Sequence, residues 1–326
     1  MSTSHIVTLC AGGDFHPPDH LVASLEAQLR TRDPQVRLQR CDANSWDAEA
    51  IAGTTAFFGW PSDEMLAVMP QLQWVQLPSA GAAAFVRHPH LAAGIAVTTS
   101  SGVFGIAGAE HALALLFGLA RDIRRHVEHT VAGRWGKHEH SVEIYDATVG
   151  VFGLGSIGTE TARRLHTLGA HVLGVKRTVS GPVPDYLQEL TSADQTDAVL
   201  PRCDVIILAM PETPDTQGLL SAERITRLKE GVLIVNVGRG SAIDQPALVA
   251  ALREGRVAGA GLDVTTPEPL PKENPLWSAP NVIITSHSMN VFDRKNERRF
   301  DLFADNFARL VAGQDLQNLV DHERGY

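Results

Sequence analysis

The chain has 326 residues, 44% of them hydrophobic and 20% charged, which is the balance of a soluble globular protein with room for two domains of ordinary size. A net charge of −9 argues against nucleic acid or an anionic membrane as its main partner. Three widely spaced cysteines, Cys10, Cys41 and Cys203, make neither a metal-ligand pattern nor a paired framework, so reduced, mostly buried thiols are expected.

The N-terminal stretch MSTSHIVTLCAGGD has no basic flank followed by a long apolar run, so it does not read as a signal peptide and a cytoplasmic location is expected. Over the first hundred residues HIVTLC, AFFGW, LQWVQL and IAVTT read as strands, with PDHLVASLEAQLR and SDEMLAVMP as helices between them. One long helix is expected along GIAGAEHALALLFGLARDIRRHVEHTVAGRW. Its apolar run, HALALLFGLA, is far short of the ~20 residues that cross a bilayer, so it is a buried helix and no membrane partner is expected. The polar stretch GKHEHSVEIYDA then reads as a loop. TVGVF, HVLGVK, DVIILAM, GVLIVNV, GAGLDV and NVIITS follow as buried strands. Helices such as GSIGTETARRLHTLG and QPALVAALREG alternate with them, and a last helical pattern runs from Asp293 to Ala312. Such alternation is the signature of βαβ units and a largely parallel sheet. Small residues in TTSSGVFG place a boundary near Ser100–Gly102. The expected division is therefore 1–101 plus 293–326 for one α/β domain and 102–292 for the other, the first being discontinuous if the last helix returns to it.

In VGVFGLGSIG, Gly153, Gly155 and Gly158 form G-x-G-x-x-G between a strand and a helix, with a second strand completing a 29-residue unit from Val149 to Arg177. The first glycine allows a tight turn, the second lets a pyrophosphate approach the backbone, and the third lets helix and strand pack closely. The helix N-terminus, at Ser156 and Ile157, offers N–H groups to the anion. The alternative is a glycine-rich turn with a structural role only. At the end of the second strand, where a carboxylate would bind the adenosine ribose of NAD, stand Lys176, Arg177 and Thr178. Two cations and a hydroxyl suit a 2′-phosphate, so NADP is favoured over NAD, unless these are solvent-facing strand-end charges.

Ligands of open α/β sheets sit at the carboxyl ends of the strands. Arg239 follows GVLIVNV, Glu268 follows GAGLDV and His287 follows NVIITS. Histidine exchanges protons near neutrality, a carboxylate orients it and favours its charged form, and arginine grips a carboxylate through two parallel hydrogen bonds. The trio suits reduction of a 2-keto acid, or oxidation of a 2-hydroxy acid, with a nicotinamide.

GVFGLGSIG, CDVIILAMPETPDTQGLLS, LKEGVLIVNVGRGSAIDQPALVAALREGRVAGAGLDV, PEPLP and NVIITSH together resemble the D-isomer-specific 2-hydroxyacid dehydrogenase family, over nearly the whole chain. The resemblance implies two Rossmann-like, doubly wound α/β domains around a cleft, a substrate domain and a dinucleotide-binding domain. It also implies a homodimer built through the long helix near residues 105–125. It assigns Arg239 to the substrate carboxylate and Glu268 to His287, the acid/base. Backbone N–H groups of Ala80 and Gly81, with Ser79 assisting, would add to the substrate site. The cofactor would be held by the glycine turn, Lys176, Arg177, Thr178, Met210, Pro211, Thr216, Val237, Gly238 and His287, with Asp263 on the nicotinamide carboxamide. Ser286 stands where the family often has proline, and Ser288 to Asn290 replace a glycine-containing stretch. The Lys176-Arg177-Thr178 pattern resembles that of NADP-using glyoxylate and hydroxypyruvate reductases.

Competing readings are a non-catalytic nucleotide sensor on the same fold, which need not keep a proton donor, and another enzyme of the family. Phosphoglycerate oxidation is disfavoured because no C-terminal regulatory domain is seen. Formate oxidation is disfavoured because Pro78-Ser79 and Ser286 lack the expected amide side chains. His126, His129, His138 and His140 invite a metal reading, but no cysteine or carboxylate completes a site, and no metal is expected. Trp60 and Trp135 read as loop tryptophans packed on their own domain, with a reach into the pocket as the alternative. Glu110-His111 reads as a helix-entry feature before it reads as support for a site.

Overall fold

Short apolar runs become parallel strands in two separate sheets. The computed structural model describes residues 5–86, 88–91, 94–136 and 141–321. The chain divides into two units, Met1–Val103 with Phe292–Tyr326, and Phe104–Val291.

In the first unit, β1 (Ile6–Ala11), β2 (Arg37–Asp42), β3 (Ala56–Phe58), β4 (Trp74–Leu77) and β5 (Ala96–Thr99) form a sheet in the order β2-β1-β3-β4-β5. One face carries Val7, Leu9, Phe58 and Trp74 and is covered by the helices Asp19–Arg32 and Lys295–Val311. From the latter, Phe303 stacks on Phe58 and on Trp74, each at 4.6 Å between ring centres. Strand β2 is absent from the sequence expectation. It is an edge strand, RLQRCD, with no fully buried residue, so it lacks the apolar run that marks a central parallel strand.

In the second unit, β6 (Thr148–Phe152), β7 (His171–Lys176), β8 (Glu189–Ser192), β9 (Val205–Leu208), β10 (Val232–Asn236), β11 (Val257–Leu262) and β12 (Val282–Ile284) form a parallel sheet in the order β12-β11-β10-β9-β6-β7-β8. Alternate residues feed two cores. Val149, Val151, Ile207 and Val235 meet the helix Gly105–Ala120, while Phe152, Ile206, Ile234 and Leu262 meet the helix Gln245–Arg253. Both faces are covered, as a parallel sheet requires. The edge strand β8 (ELTS) is only half-buried, and no apolar run in the sequence predicts it.

The single long helix expected from residue 105 onward is two helices, Gly105–Ala120 and Ile123–Val131. The break is at Asp122, which takes a left-handed conformation, φ +47°. It falls where the apolar run ends: the first helix is largely buried and the second buries no residue. Trp135, expected to pack on its own domain, is instead 99% exposed. The rings of His126 and His129 lie 6.5 Å apart, whereas His138 and His140 lie outside the described residues. No helix among the described residues is long and apolar enough to cross a membrane.

Candidate active site

All strands of the second sheet run the same way, so the loops after β6, β7, β9, β10, β11 and β12 share one edge. The chain leaves β6 at Gly153, φ +93°, and enters the helix Ser156–Thr167. A Cβ on Gly153 would lie 2.8 Å from the Ala209 oxygen, and one on Gly158 only 1.9 Å from the Gly153 oxygen. Backbone geometry and close helix packing thus demand glycine at both positions. A Cβ on Gly155 would meet nothing within 4 Å; the space beside the helix N-terminus is open, which fits a pyrophosphate. Two further glycines, unremarked in the sequence, make room for this helix. A Cβ on Gly105 would lie 3.2 Å from Ser156, and one on Gly108 2.9 Å from Ile157.

Strand β7 lies beside β6, with Val175 opposite Phe152, and the Gly153 N–H donates to the Val175 oxygen at 2.8 Å. Lys176 ends that strand half-buried, and Arg177 and Thr178 follow it exposed. After β9, the Thr216 hydroxyl donates to the Pro211 oxygen at 2.8 Å and accepts the Thr213 N–H at 2.9 Å, closing the turn. Met210 is buried, and a Cβ on Gly238 would lie 2.7 Å from its oxygen. The loop after β10, beginning with buried Val237, therefore packs directly on the loop after β9.

Buried Asn236, the last residue of β10, builds the Arg239 turn. Its Oδ1 accepts the Gly238 N–H at 3.0 Å and its Nδ2 donates to the Arg239 oxygen at 2.9 Å. The guanidinium of Arg239 donates to the Gly238 oxygen at 2.7 Å. Gly240 then lies against the Thr265 backbone, where a Cβ would come within 2.1 Å. Thr265 in turn orients Glu268: its N–H donates to Oε1 at 3.0 Å, while Oε2 takes His287 Nδ1 at 2.8 Å. An ionised carboxylate only accepts, so Nδ1 carries the proton of that bond and Nε2 is the nitrogen left to serve a substrate. Side chains of His287 and Glu268 are 40% and 38% exposed, open enough for a ligand to reach.

Asp263, just past β11, is the hub of a network that the sequence did not announce. Its carboxylate accepts from Thr285 Oγ1 at 2.7 Å, Ser288 N–H at 2.8 Å and Met289 N–H at 3.3 Å, and lies 3.2 Å from His111 Nε2. His111 Nε2 is also 2.8 Å from Thr285 Oγ1. Burial alone would raise the Asp263 pKa, but hydrogen bonds from His111, Thr285 and the Ser288 and Met289 amides outweigh it and hold the carboxyl below its ordinary range. These donors fasten the segment that carries His287 to the end of β11. His111 lies within the helix Gly105–Ala120 and meets Thr285 and Asp263 instead of opening the helix. A lone imidazole in an apolar helix was the available signal.

In the first unit, Arg299 is 1% exposed and donates from Nε to the Pro78 oxygen at 2.8 Å. Ser79 Oγ donates to the Gly81 oxygen at 2.7 Å and accepts Trp60 Nε1–H at 3.3 Å. Among the described residues, no hydrogen bond engages the amides of Ala80 or Gly81.

The family model "D-isomer specific 2-hydroxyacid dehydrogenase, NAD binding domain" matches residues 113–288. The chain belongs to the D-isomer-specific 2-hydroxyacid dehydrogenase family. It is 32% identical to a glyoxylate reductase of Korarchaeum cryptofilum over 71% of this chain and 70% of that one. A family member from Xanthobacter autotrophicus Py2, solved in complex with NADPH and MES, superposes with TM-score 0.81 at 28% identity, covering 99% of this chain and 100% of that one. An NADPH-dependent glyoxylate/hydroxypyruvate reductase from Sinorhizobium meliloti, solved with NADP and sulfate, gives 0.78 at 25% identity with the same coverage. This dehydrogenase is thus an NAD(P)-dependent oxidoreductase with two parallel-sheet domains.

Proposed function

We propose that this dehydrogenase reduces a small 2-keto acid, of the size of glyoxylate or hydroxypyruvate, to the D-2-hydroxy acid, with NADPH preferred to NADH. The observation that carries the reading is the His287–Glu268 pair at 2.8 Å, at the carboxyl ends of β11 and β12 and next to the strand that presents Arg239. The dinucleotide, when bound, supplies the hydride. Gly153, Gly155, Ser156, Ile157 and Gly158 would hold its pyrophosphate at the helix N-terminus, with Met210, Pro211, Thr216, Val237 and Gly238 forming the adjoining wall. Arg239 grips the substrate carboxylate and polarises the neighbouring carbonyl. His287 Nε2–H donates the proton to the carbonyl oxygen, and Glu268 holds the ring and balances its charge. Asp263 acts through the His287 segment, and the Ala80 and Gly81 amides with Ser79 offer N–H and O–H donors to an anion. Lys176, Arg177 and Thr178 support the NADPH preference, since the strand end carries no carboxylate to repel a 2′-phosphate. The exposed apolar side chains Val127, Val131 and Trp135 support a homodimer, and a monomer in sedimentation at micromolar concentration would refute that part.

Initial rates with glyoxylate, hydroxypyruvate and a phenyl keto acid, each with NADPH and NADH, test the reading. His287→Ala is expected to lower kcat by roughly 10²- to 10⁴-fold with dinucleotide affinity unchanged. Turnover near wild type in that variant overturns the assignment; tight dinucleotide binding with no turnover of any acid returns the sensor reading.

A further inference from the structure

Cys10 on β1 and Cys41 on β2 are in-register partners on adjacent parallel strands. Such partners project from the same face with Cα atoms about 4.8 Å apart, inside the range of about 4.4–6.8 Å that disulfides span. Both side chains pack on one apolar cluster, Cys10 buried within it and Cys41 half-buried at its margin. Because β2 is the outermost strand, Cys41 stands at the sheet edge and is partly exposed, whereas Cys10 on β1 is 1% exposed.

The contact between the two thiols divides their chemistry. The hydrogen bond from Cys10 draws the Cys41 thiol below its ordinary range, against the opposing effects of burial and the Asp42 carboxylate. The same contact, with burial added, pushes Cys10 far up. Cys41, the less buried of the two on the edge strand, is the sulfur that meets an oxidant first, and buried Cys10, whose Sγ–H donates to the Ala11 oxygen at 3.8 Å, is its resolving partner. Cys203 is the internal contrast: it is buried, its Sγ donates to the Val199 oxygen at 3.3 Å, and burial pushes its pKa up to about 12.

We propose that Cys10 and Cys41 form a redox-modification site, closing a reversible disulfide when hydrogen peroxide reaches Cys41. The Cys41 thiolate attacks one peroxide oxygen, the O–O bond breaks, and water leaves once the departing oxygen is protonated. The Cys10 sulfur then attacks the Cys41 sulfenic acid, the S–O bond breaks, and the Cys10 proton leaves with the hydroxyl as a second water. Two thiols and one peroxide become one disulfide and two waters. Each sulfur loses one electron and the peroxide gains both. Thiol reductants reopen such a disulfide by thiolate attack on one of its sulfurs.

Treating the full-length protein with hydrogen peroxide, then alkylating it in denaturant and mapping peptides by mass spectrometry, tests this. The expected product is a linked Cys10–Cys41 peptide pair, two hydrogens lighter than the separate peptides. Cys203 should carry the alkyl group, and dithiothreitol should restore all three alkylation sites. Cys10→Ser should leave Cys41 oxidised to sulfinic or sulfonic acid with no linked pair, and Cys203→Ala should leave the linked pair intact. All three cysteines remaining alkylatable, Cys41 over-oxidised in the wild-type chain without a link, or links formed only between chains would each overturn the proposal.

Discussion

Asp263→Asn should slow the reaction while leaving the dinucleotide site whole. Ser286 and His287 both have left-handed backbones, φ +49° and +54°, and a side-chain-bearing residue there costs about 1–2 kcal/mol. The segment is held by the Asp263 carboxylate, which receives the Ser288 and Met289 amides and the Thr285 hydroxyl. Asparagine keeps one acceptor oxygen and turns the other position into a donor facing a donor. At least one hydrogen bond to a charged group is lost, worth about 1.5–3 kcal/mol. At about 1.4 kcal/mol per factor of ten, the population that holds His287 against its substrate falls roughly 10- to 150-fold. Steady-state kinetics with the best keto acid should show that fall in kcat, and calorimetric titration should show the dinucleotide Kd unchanged. Thr285→Val, which removes one donor and spares the carboxylate, should show a smaller fall in the same direction. Unaltered kcat in both variants refutes the anchor. A Kd weakened in step with kcat refutes it too, and would mean that Asp263 touches the nicotinamide.

Replacing Lys176 and Arg177 together with alanine should raise the KM for NADPH about 10- to 100-fold, at roughly 1–3 kcal/mol for the lost charge-assisted bonds. NADH should be unaffected, and equal changes for both cofactors would leave these residues as surface charges. Gly155→Ala should weaken dinucleotide binding with no change in Tm, because its Cβ enters open space, while Gly158→Ala should lower Tm because its Cβ meets the Gly153 oxygen; thermal melts and binding titrations on both check the contrast. Burial would raise the Asp14 pKa, but Lys295 and Arg299 outweigh it and hold the carboxyl below its ordinary value. A folded-state pKa below the unfolded one contributes stability that is whole above about pH 4 and is lost as pH falls through the folded value. Asp14→Asn should therefore flatten the acid limb of stability, and an acid-unfolding curve of unchanged shape would refute the pairing.

The strands legible in the sequence were those with an apolar run, such as VIIL at Val205–Leu208, because a central parallel strand must be apolar throughout. The edge strands RLQRCD and ELTS carry no such run, and their pairing depends on a neighbour far along the chain. The helix break at Asp122 was hidden for a different cause. Helical periodicity continues through HALALLFGLARDIRRHVEHTV, and only the change from buried to unburied shows that the chain has left the core.

For the site, strand ends followed by polar residues pointed to Arg239, Glu268 and His287, since each sits past an apolar run on one sheet edge. The residues that hold them follow the opposite pattern, polar groups set inside apolar elements. Asn236 closes a buried strand and shapes the Arg239 turn, while His111 sits in a buried helix and meets Thr285 and Asp263 across the core. A buried polar group costs about 1–3 kcal/mol unless it is bonded, so each such residue implies a partner. The partner's identity is a fact of the tertiary structure, because His111 and Thr285 are 174 residues apart in the chain. The candidate site was therefore legible where polar groups face solvent at a strand end, and illegible where they face inward.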